Sequence, residues 1–309
     1  MNISIITPSY KPDYQRCKLL CKSIDLFVSN YKKHIIIVDR SDYALFKTLE
    51  NNKTEIICKE DILPSWLIKI PFTTKWWLNL KGLPVRGWIL QQIVKLSVHE
   101  FVDADIYLFA DSDVSFIRPF DLNNVINNNL IRLCSMPRKK ADYVDRRKQR
   151  WHLSAAKMLG VNDTELLTRD YITQLVFWRR DTLIKLTRYL ETKSLETKSI
   201  EIKSLETKRN KNWKEYLANT LDFSEYTLYG IFSEHVLAEA SGHYREPEEL
   251  CYCSWHQNIH NATELKHYLS NIPKKFYAVL IQSNLGISTH NYQEQLAHLQ
   301  NNQSMVKTP

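Results

Sequence analysis

Two aspartates, Asp111 and Asp113, stand directly after an apolar run, and their spacing suits the binding of a metal ion. The run reads IYLFA, and the segment continues as DSDVSF. Residues two apart on a strand point the same way, so both carboxylates would lie together at the strand end. Neighbouring carboxylates repel, and a hard divalent cation relieves the repulsion while leaving positions for phosphate oxygens. The pattern predicts a metal and diphosphate site; a strand-end turn with two solvated carboxylates is the alternative.

A polar stripe follows one face of a helix predicted over residues 86–101. Its members are Trp88, Gln91, Gln92, Lys95 and His99. A helix that only covers a core needs no such stripe, whereas a helix that lines a polar donor pocket does. Arg86 and Lys95 could reach phosphate oxygens, because cations stabilise a leaving diphosphate. An amphipathic surface helix would show the same pattern.

The elements that must position these residues alternate between strand and helix. Strands are predicted at 2–7, 34–39, 54–58, 105–110, 131–136, 171–178 and 279–283, and helices at 13–28, from Asp42, at 86–101, at 181–190 and from Ser224. Asp13 would cap the first helix. The alternation predicts an α/β fold with a mostly parallel sheet flanked by helices. Ligands bind such sheets at the carboxyl ends of the strands, where Asp111 and Asp113 stand.

The chain is predicted to form one domain over residues 1–309, interrupted by a low-complexity insertion at 190–211. Within it, LETKS-LETKS-IEIKS-LETKR repeats every five residues. On a helix this period turns roughly 140° per repeat, so the apolar residues share no face. We therefore expect a solvent-exposed segment without a role in function.

Composition excludes several classes of protein. Only 6 residues are Gly, no GxGxxG occurs, and Trp88 stands where a Walker loop would need Lys. No apolar run approaches the roughly 18 residues of a membrane span, and no signal peptide is recognisable. The six cysteines form no metal or disulfide pattern. We expect a reduced, cytoplasmic protein without a transmembrane segment; peripheral contact with the inner face of a membrane stays open.

Positive charge is concentrated between Arg138 and Arg150. Seven Lys or Arg stand there against two Asp, which accounts for +5 of the net charge of +8. Such a stretch could dock anionic lipid, acidic polysaccharide or nucleotide phosphate, or it could be a solvated helical face. Nucleic acid is not expected as a partner, because no binding module accompanies the patch.

Five segments together resemble one family. They are IITPSYKPDYQRCKLLCKSI near the start, IIIVDRSD, LPVRGWILQQIVKL at 83–96, DSDVSFIRPF and SEYTLYG at 224–230. The chain resembles glycosyltransferases of the GT-A fold, and most closely an uncharacterised, largely bacterial branch with a DxD motif. The resemblance implies transfer of a sugar from a UDP- or GDP-sugar, with Mn²⁺ or Mg²⁺, to a glycan, lipid-linked or polysaccharide-precursor acceptor.

The resemblance also implies roles for residues at the strand ends. Thr7, Ser9 and Tyr10 would touch the nucleoside, and Asp39 would meet the base or ribose, unless it only caps the following turn. Asp111 would bind the metal and the diphosphate, and Asp113 the metal.

An inverting sugar transfer needs a general base, a carboxylate near the acceptor hydroxyl that takes its proton. By analogy with inverting GT-A enzymes, Glu225 at the start of a helix is the candidate, with Glu234 in reserve. A carboxylate in a first helical turn is also favourable as a simple cap.

Two histidines are candidates for a third metal ligand, which many GT-A enzymes take from their C-terminal region. They are His256 in CYCSWH and His290 in GISTHNY, and a structural role for both is the alternative. Separately, Trp66, Trp76 and Trp77 lie in a predicted loop over 64–84. Their rings could stack on sugars, rest on a membrane interface, or be buried.

Two other functions fit parts of the pattern. A haloacid-dehalogenase-like phosphatase also uses hhhhDxDx[TV], but places it on the first strand and follows it with a GDxxxD motif that this chain lacks. A non-catalytic transferase that binds sugar or nucleotide would share every feature except turnover.

Overall fold

Strands and helices alternate along the first half of the chain, as the sequence predicts. The structure is a computed structural model that describes residues 1–71, 73, 75–161, 168–201, 212–253, 259 and 261–304. Its strands are β1 Ile3–Pro8, β2 Val28–Ser29, β3 His34–Val38, β4 Thr54–Cys58, β5 Leu67–Lys69, β6 Trp76–Asn79, β7 Val85–Arg86, β8 Ile106–Ala110, β9 Val114–Phe116, β10 Phe120–Asp121, β11 Ile126–Asn127, β12 Leu130–Cys134, β13 Met136–Pro137, β14 Arg169–Asp170, β15 Leu175–Arg179, β16 His243–Glu246, β17 Cys251–Tyr252 and β18 Ala278–Leu280. Its helices are α1 Tyr14–Phe27, α2 Tyr43–Phe46, α3 Lys59–Ile62, α4 Gly87–Ser97, α5 Lys140–Val144, α6 Arg146–Leu159, α7 Arg180–Glu201, α8 Trp213–Ala218, α9 Glu225–Ile231, α10 Ala262–Ser270 and α11 Gln293–Ser304.

A five-stranded sheet in the order β15–β8–β1–β3–β4 forms the centre of the fold. β8, β1, β3 and β4 are parallel to one another, and β15 pairs antiparallel with β8 at one edge. β1, β3 and β8 are buried along their whole length, as is typical of strands rich in apolar residues at the centre of a parallel sheet. The predicted α/β class, with a mostly parallel sheet flanked by helices, is confirmed.

Side chains alternate between the two faces of this sheet and build a separate core on each. Tyr107 and Phe109 of β8 face the core that includes α4 and α9, together with α6, α7 and α8. Leu108 of the same strand faces the core that includes α1. The parallel strands therefore end at one edge between two packed layers, and the loops that follow Pro8, Val38 and Ala110 meet there.

The segment from residue 64 to 84 is not the loop that the sequence predicts. β5, β6 and β7 pair antiparallel as a small three-stranded sheet. Along β6, exposed and buried residues alternate, so Trp77 is buried while Trp76 is 41% exposed. The sequence WWLN does not alternate between apolar and polar residues, because the exposed positions are Trp76 and Leu78 and the buried ones are Trp77 and Asn79, so the period of a half-buried strand was not visible.

Several predicted bounds differ from the structure. The strand predicted at 171–178 begins only at Leu175, because residues 171–174 form an irregular segment after the short strand β14. α4 ends at Ser97 rather than 101, and a 3₁₀ turn over Val98–Glu100 follows it. The strand predicted at 54–58 matches β4, and the other predicted strands shift by one to three residues at one or both ends.

The predicted insertion begins inside a helix. α7 runs from Arg180 to Glu201, and Leu190, the first residue of the predicted insertion, is fully buried. The exposed segment therefore cannot begin before residue 191, and residues 202–211 lie outside the described part of the chain.

A second change of helix type occurs near the predicted acceptor side. α9 passes directly into a π-helical turn over Phe232–Leu237.

Among the described helices, none combines the length and apolar character needed to span a membrane.

Candidate functional site

A cavity of about 670 Å³ opens at the carboxyl ends of the parallel strands. It is lined by Pro8, Ser9, Tyr10, Asp13, Asp39, Lys59, Lys75, Trp76, Trp77, Arg86, Gly87, Trp88, Gln91, Asp111, Ser112, Asp113 and Ser283. These residues come from the ends of β1, β3 and β8 and the loops after them, from α3, β6, β7 and α4, and from the C-terminal region. The fold therefore brings predicted residues from four sequence segments to one concave surface.

The two aspartates after β8 both line this cavity. The Asp111 side chain is 35% exposed, and its Oδ1 lies 3.4 Å from Lys95 Nζ. Burial and the nearby Asp111 carboxylate raise the pKa of Asp113 to about 7. The repulsion expected between these carboxylates is thus present, and a cation bound between them would relieve it.

The sequence did not identify two contributors to this end of the cavity. Asp13, predicted as a helix cap, makes no capping hydrogen bond; it lines the cavity and pairs with Arg16 at 3.2 Å. Burial, together with Asp111, raises the pKa of Asp13 despite the opposing effect of Arg16. The backbone N–H of Ser283 donates to Asp113 Oδ2 at 3.0 Å. Neither contribution has a sequence motif, because each depends on how distant segments pack.

The two carboxylates fit a metal ion whose remaining ligands are water and phosphate oxygens of a bound substrate. Among the described residues, no group of three or more His, Cys, Asp or Glu is arranged to hold a metal ion unaided. Mg²⁺, however, is usually bound through one or two carboxylates and completes its coordination with water and substrate phosphates. Asp111 and Asp113 meet that description, with Ser283 fixing one Asp113 oxygen.

Asp39 lines the opposite part of the cavity and is held by two lysines. Its oxygens accept hydrogen bonds from Lys59 Nζ at 2.6 Å and Lys69 Nζ at 2.8 Å. Burial alone would raise the pKa of Asp39, but the two ammonium groups outweigh burial and hold the pKa below its usual range. Asp39 makes no side-chain cap of the turn that follows it. It is therefore an ionised hydrogen-bond acceptor on the cavity wall.

Of the three residues predicted to touch the nucleoside from the end of β1, only two line the cavity. Ser9 and Tyr10 line the cavity, and Tyr10 is 39% exposed. Thr7 is fully buried, and its hydroxyl bonds His34 Nε2 at 2.9 Å inside the sheet. The prediction that Thr7 touches a nucleoside is thus not supported, because its position lies within β1 rather than after it.

α4 divides its polar stripe between the cavity and the interior. Arg86, immediately before the helix, Trp88 and Gln91 line the cavity. Gln92 is buried, and its Oε1 accepts a hydrogen bond from the backbone N–H of Glu225 at 2.9 Å. Lys95 lies one turn further along and is also buried. The stripe is therefore partly a cavity wall and partly a buried contact to α9.

Lys95 does not reach into the cavity as predicted. Its ammonium group donates to the Tyr226 hydroxyl at 2.6 Å and lies 3.1 Å from Glu225 Oε1 and 3.4 Å from Asp111 Oδ1. Burial opposes the charge, but Asp111, Tyr226 and Glu225 together raise the pKa of Lys95 well above its usual value. Lys95 is a fixed cation beneath the cavity floor that joins α4, α9 and the aspartate loop.

Glu225 lies behind Lys95 and is 5% exposed. It lines neither this cavity nor the second cavity described below. A general base must come within hydrogen-bond reach of the proton that it takes. The geometry therefore does not place Glu225 as a base: its carboxylate is committed to Lys95, and Ser224 supplies the helix cap instead.

The remaining candidates lie away from the aspartates or outside the described residues. Glu234 accepts a hydrogen bond from Tyr171 at 3.1 Å and pairs with Arg245 at 3.1 Å, and it lines neither cavity. His290 is exposed in a 3₁₀ turn and does not line the cavity. His256 lies outside the described residues.

A second cavity of about 520 Å³ adjoins the first. Trp76, Arg86 and Trp88 line both. Its other walls come from α6 and from the segment between α8 and α9, including Arg147, Arg150, Trp151, Leu221 and Asp222. The predicted basic stretch thus supplies two arginines to a cavity beside the aspartate site.

The model of a family of unknown function, DUF6492, matches residues 1–304 of the chain. No curated protein matches it. Among solved structures, the chain is similar to the apo form of mouse xyloside xylosyltransferase 1, at 10% identity and a TM-score of 0.47, over 93% of this chain and 100% of that one. It is also similar to an active-site mutant of LgtC, at 12% identity and a TM-score of 0.48, over 96% and 95% of the two chains. At these values, function has to be argued from the chain's own site.

Proposed function

We propose that this chain, which belongs to the DUF6492 family, is a metal-dependent glycosyltransferase that takes its sugar from a UDP- or GDP-sugar. The observation that carries the proposal is the arrangement of the larger cavity. Asp111 and Asp113 stand at one end, Asp39 and Tyr10 line the same cavity, and the cavity lies where open α/β sheets bind ligands. The resemblance of the DSDVSFIRPF and IITPSYKP segments to GT-A enzymes points to the same activity.

The donor would lie along this cavity with its diphosphate at the aspartates. Mn²⁺ or Mg²⁺, when bound, would neutralise charge that develops on the leaving diphosphate. Asp111 and Asp113 would hold the ion, and Arg86 and Lys75, both on the cavity wall, would contact phosphate oxygens.

The nucleoside would lie towards Ser9, Tyr10 and Asp39. The ionised Asp39 carboxylate can accept hydrogen bonds from a base or a ribose hydroxyl, and the exposed Tyr10 ring offers a flat surface for stacking. Lys59 and Lys69 keep Asp39 charged and fixed in position.

Lys95 would act as a positioning residue beneath the metal. It holds Asp111 from below and balances the charge of Glu225, so the aspartate loop is fixed before the donor arrives. Such preorganised groups need no rearrangement during the reaction. An acceptor, which we propose to be a glycan or a lipid-linked saccharide, would enter from the side of Trp76 and Trp88.

The test is calorimetric binding of UDP and GDP, each with and without Mn²⁺, to wild type, Asp113→Asn and Asp103→Asn. Asp103 is a matched control, since its side chain is 82% exposed and its surface ion pairs contribute little to stability. We expect Mn²⁺ to tighten nucleotide binding in wild type and Asp103→Asn but not in Asp113→Asn. Absence of metal-dependent binding in the wild type would refute the proposal.

Turnover separates an enzyme from a non-catalytic nucleotide-binding protein. The protein is incubated with the preferred nucleotide-sugar donor, Mn²⁺ and a mixture of saccharide acceptors, and release of the nucleoside diphosphate is followed. Release by the wild type and not by a folded Asp113→Asn variant supports transfer. Binding without any release favours the non-catalytic alternative.

A further inference from the structure

The second cavity shares a wall with the proposed donor site. Three residues, Trp76, Arg86 and Trp88, line both cavities. A molecule in the second cavity would therefore lie directly beside the donor, although none of the residues that line it is an aspartate of the DxD motif.

One wall of the second cavity is aromatic. The Trp88 and Trp151 rings stack with centroids 5.4 Å apart and planes at 29°. Trp76 and Trp88 are each about two-fifths exposed, and Leu221 is 74% exposed. Aromatic faces that remain open in a cavity are suited to the apolar face of a ring-shaped ligand.

The charge of this cavity is positive. Three arginines and a single carboxylate, Asp222, line the described part of it. Asp222 is committed within the wall, because it pairs with Arg150 and accepts a hydrogen bond from Trp151 Nε1 at 2.8 Å. The carboxylate thus neutralises one arginine and leaves the other two.

Arg86 and Arg147 are these two arginines. The Arg147 guanidinium lies over the Trp151 ring at 5.1 Å, and the Arg86 guanidinium lies over Trp76 at 5.5 Å. Within the described chain neither forms an ion pair with a carboxylate. A guanidinium that rests on a ring keeps the edge of its N–H fork available, and this fork matches phosphate and carboxylate groups.

We infer that the second cavity binds the acceptor and that the acceptor is an anionic saccharide, with its phosphate or carboxylate group held by Arg147, while Arg86 on the shared wall contacts the donor diphosphate. The exposed Trp88 ring, backed by Trp151, would cover the sugar ring. The role of this saccharide as acceptor rests on the proposed function, whereas the preference for an anionic saccharide rests on the second cavity alone.

The test compares three small saccharides as probes: glucose, glucuronic acid and glucose 1-phosphate. Binding to the full chain is measured by calorimetry, with and without saturating UDP and Mn²⁺ to fill the donor site. We expect both anionic sugars to bind more tightly than glucose, and added salt to weaken them. The difference in affinity between glucuronic acid and glucose 1-phosphate shows whether the cavity prefers a carboxylate or a phosphate group.

Arg147→Ala and Arg146→Ala form the matched pair of variants. Both arginines are exposed in the first turn of α6, but only Arg147 lines the cavity. Arg147→Ala should weaken the anionic sugars by about tenfold or more, the effect of one charge-assisted hydrogen bond. Arg146→Ala should bind as the wild type does, and Arg147→Lys should fall between the two.

Two outcomes would overturn the inference. One is that the anionic sugars bind no more tightly than glucose; the other is that Arg147→Ala binds them as tightly as Arg146→Ala. UDP and Mn²⁺ should bind Arg147→Ala as they bind the wild type. If they bind no variant at all, the proposed function fails, while the saccharide comparison still decides the chemistry of the second cavity.

Discussion

Replacing Lys95 with methionine should destabilise the protein strongly. Methionine has a similar length but no charge, so the change removes the cation and keeps most of the packing. The Glu225 side chain, 6% exposed, would then be a buried carboxylate without its ion-pair partner. Breaking a buried pair by removing one partner costs about 3–5 kcal/mol. We expect Lys95→Met to lose stability in that range.

The second partner provides the compensating change. In Lys95→Met/Glu225→Gln no unpaired charge remains buried, so the double variant should lose less stability than the sum of the two single changes. Glu225→Gln alone should cost about 1–3 kcal/mol, because Lys95 keeps Asp111 and the Tyr226 hydroxyl as partners. The four proteins form a double-mutant cycle, for which we expect a coupling energy of about 2–3 kcal/mol.

The assay is urea unfolding of the four proteins followed by far-UV circular dichroism, with the slope m compared among them. Two results would refute the reasoning: a loss below about 1 kcal/mol in Lys95→Met, or additive effects in the double variant. Glu225→Gln also tests the base role, since loss of a general base lowers the rate by about 10²–10⁴-fold. From its position behind Lys95 we expect a smaller decrease.

Two further predictions concern pH and the repeat. Because the pKa of Asp113 is about 7, Mn²⁺-dependent nucleotide affinity should rise by up to about tenfold between pH 6 and pH 8, as the carboxylate ionises. The same raised pKa favours the folded state at low pH without metal; this contribution is lost as pH rises through about 7, and Asp113→Asn should flatten that loss. An affinity independent of pH would contradict this. Deletion of residues 192–208, which leaves the buried Leu190 in place, should keep activity and lower the melting temperature by no more than a few degrees, since the five-residue repeat offers no continuous apolar face for the core. A larger drop in calorimetry would mean that the repeat packs on the core.

The central sheet could be predicted because its signals are local. β3 and β8 are largely apolar runs, and each is followed directly by an aspartate that the fold places at one edge. Asp111 and Asp113 could therefore be placed at this edge from sequence alone, whereas the expectation for Asp39 came from the resemblance to GT-A enzymes. Their positions depend on strand ends, and strand ends follow from hydropathy.

The depth of a polar side chain could not be predicted in the same way. Lys95 and Glu225 were expected to contact substrate, yet both are buried against each other, because α9 packs on α4. A helix pattern shows which face a residue occupies, but not whether that face meets a cavity or another helix. Asp13 was missed for the converse reason: its position fits a cap, and only the packing of the loop turns it towards the other aspartates.

The hydrogen bond from Ser283 to Asp113 has a consequence for biosynthesis. The two residues are 170 positions apart, and the antiparallel pairing of β18 with β9 brings them together. The ribosome must therefore reach residue 283 before the aspartate loop gains this contact. Until then the nascent protein carries two neighbouring carboxylates without the N–H that fixes one of them. Long-range pairings of this kind form slowly, so competence to bind the donor should be among the last properties that the new chain acquires.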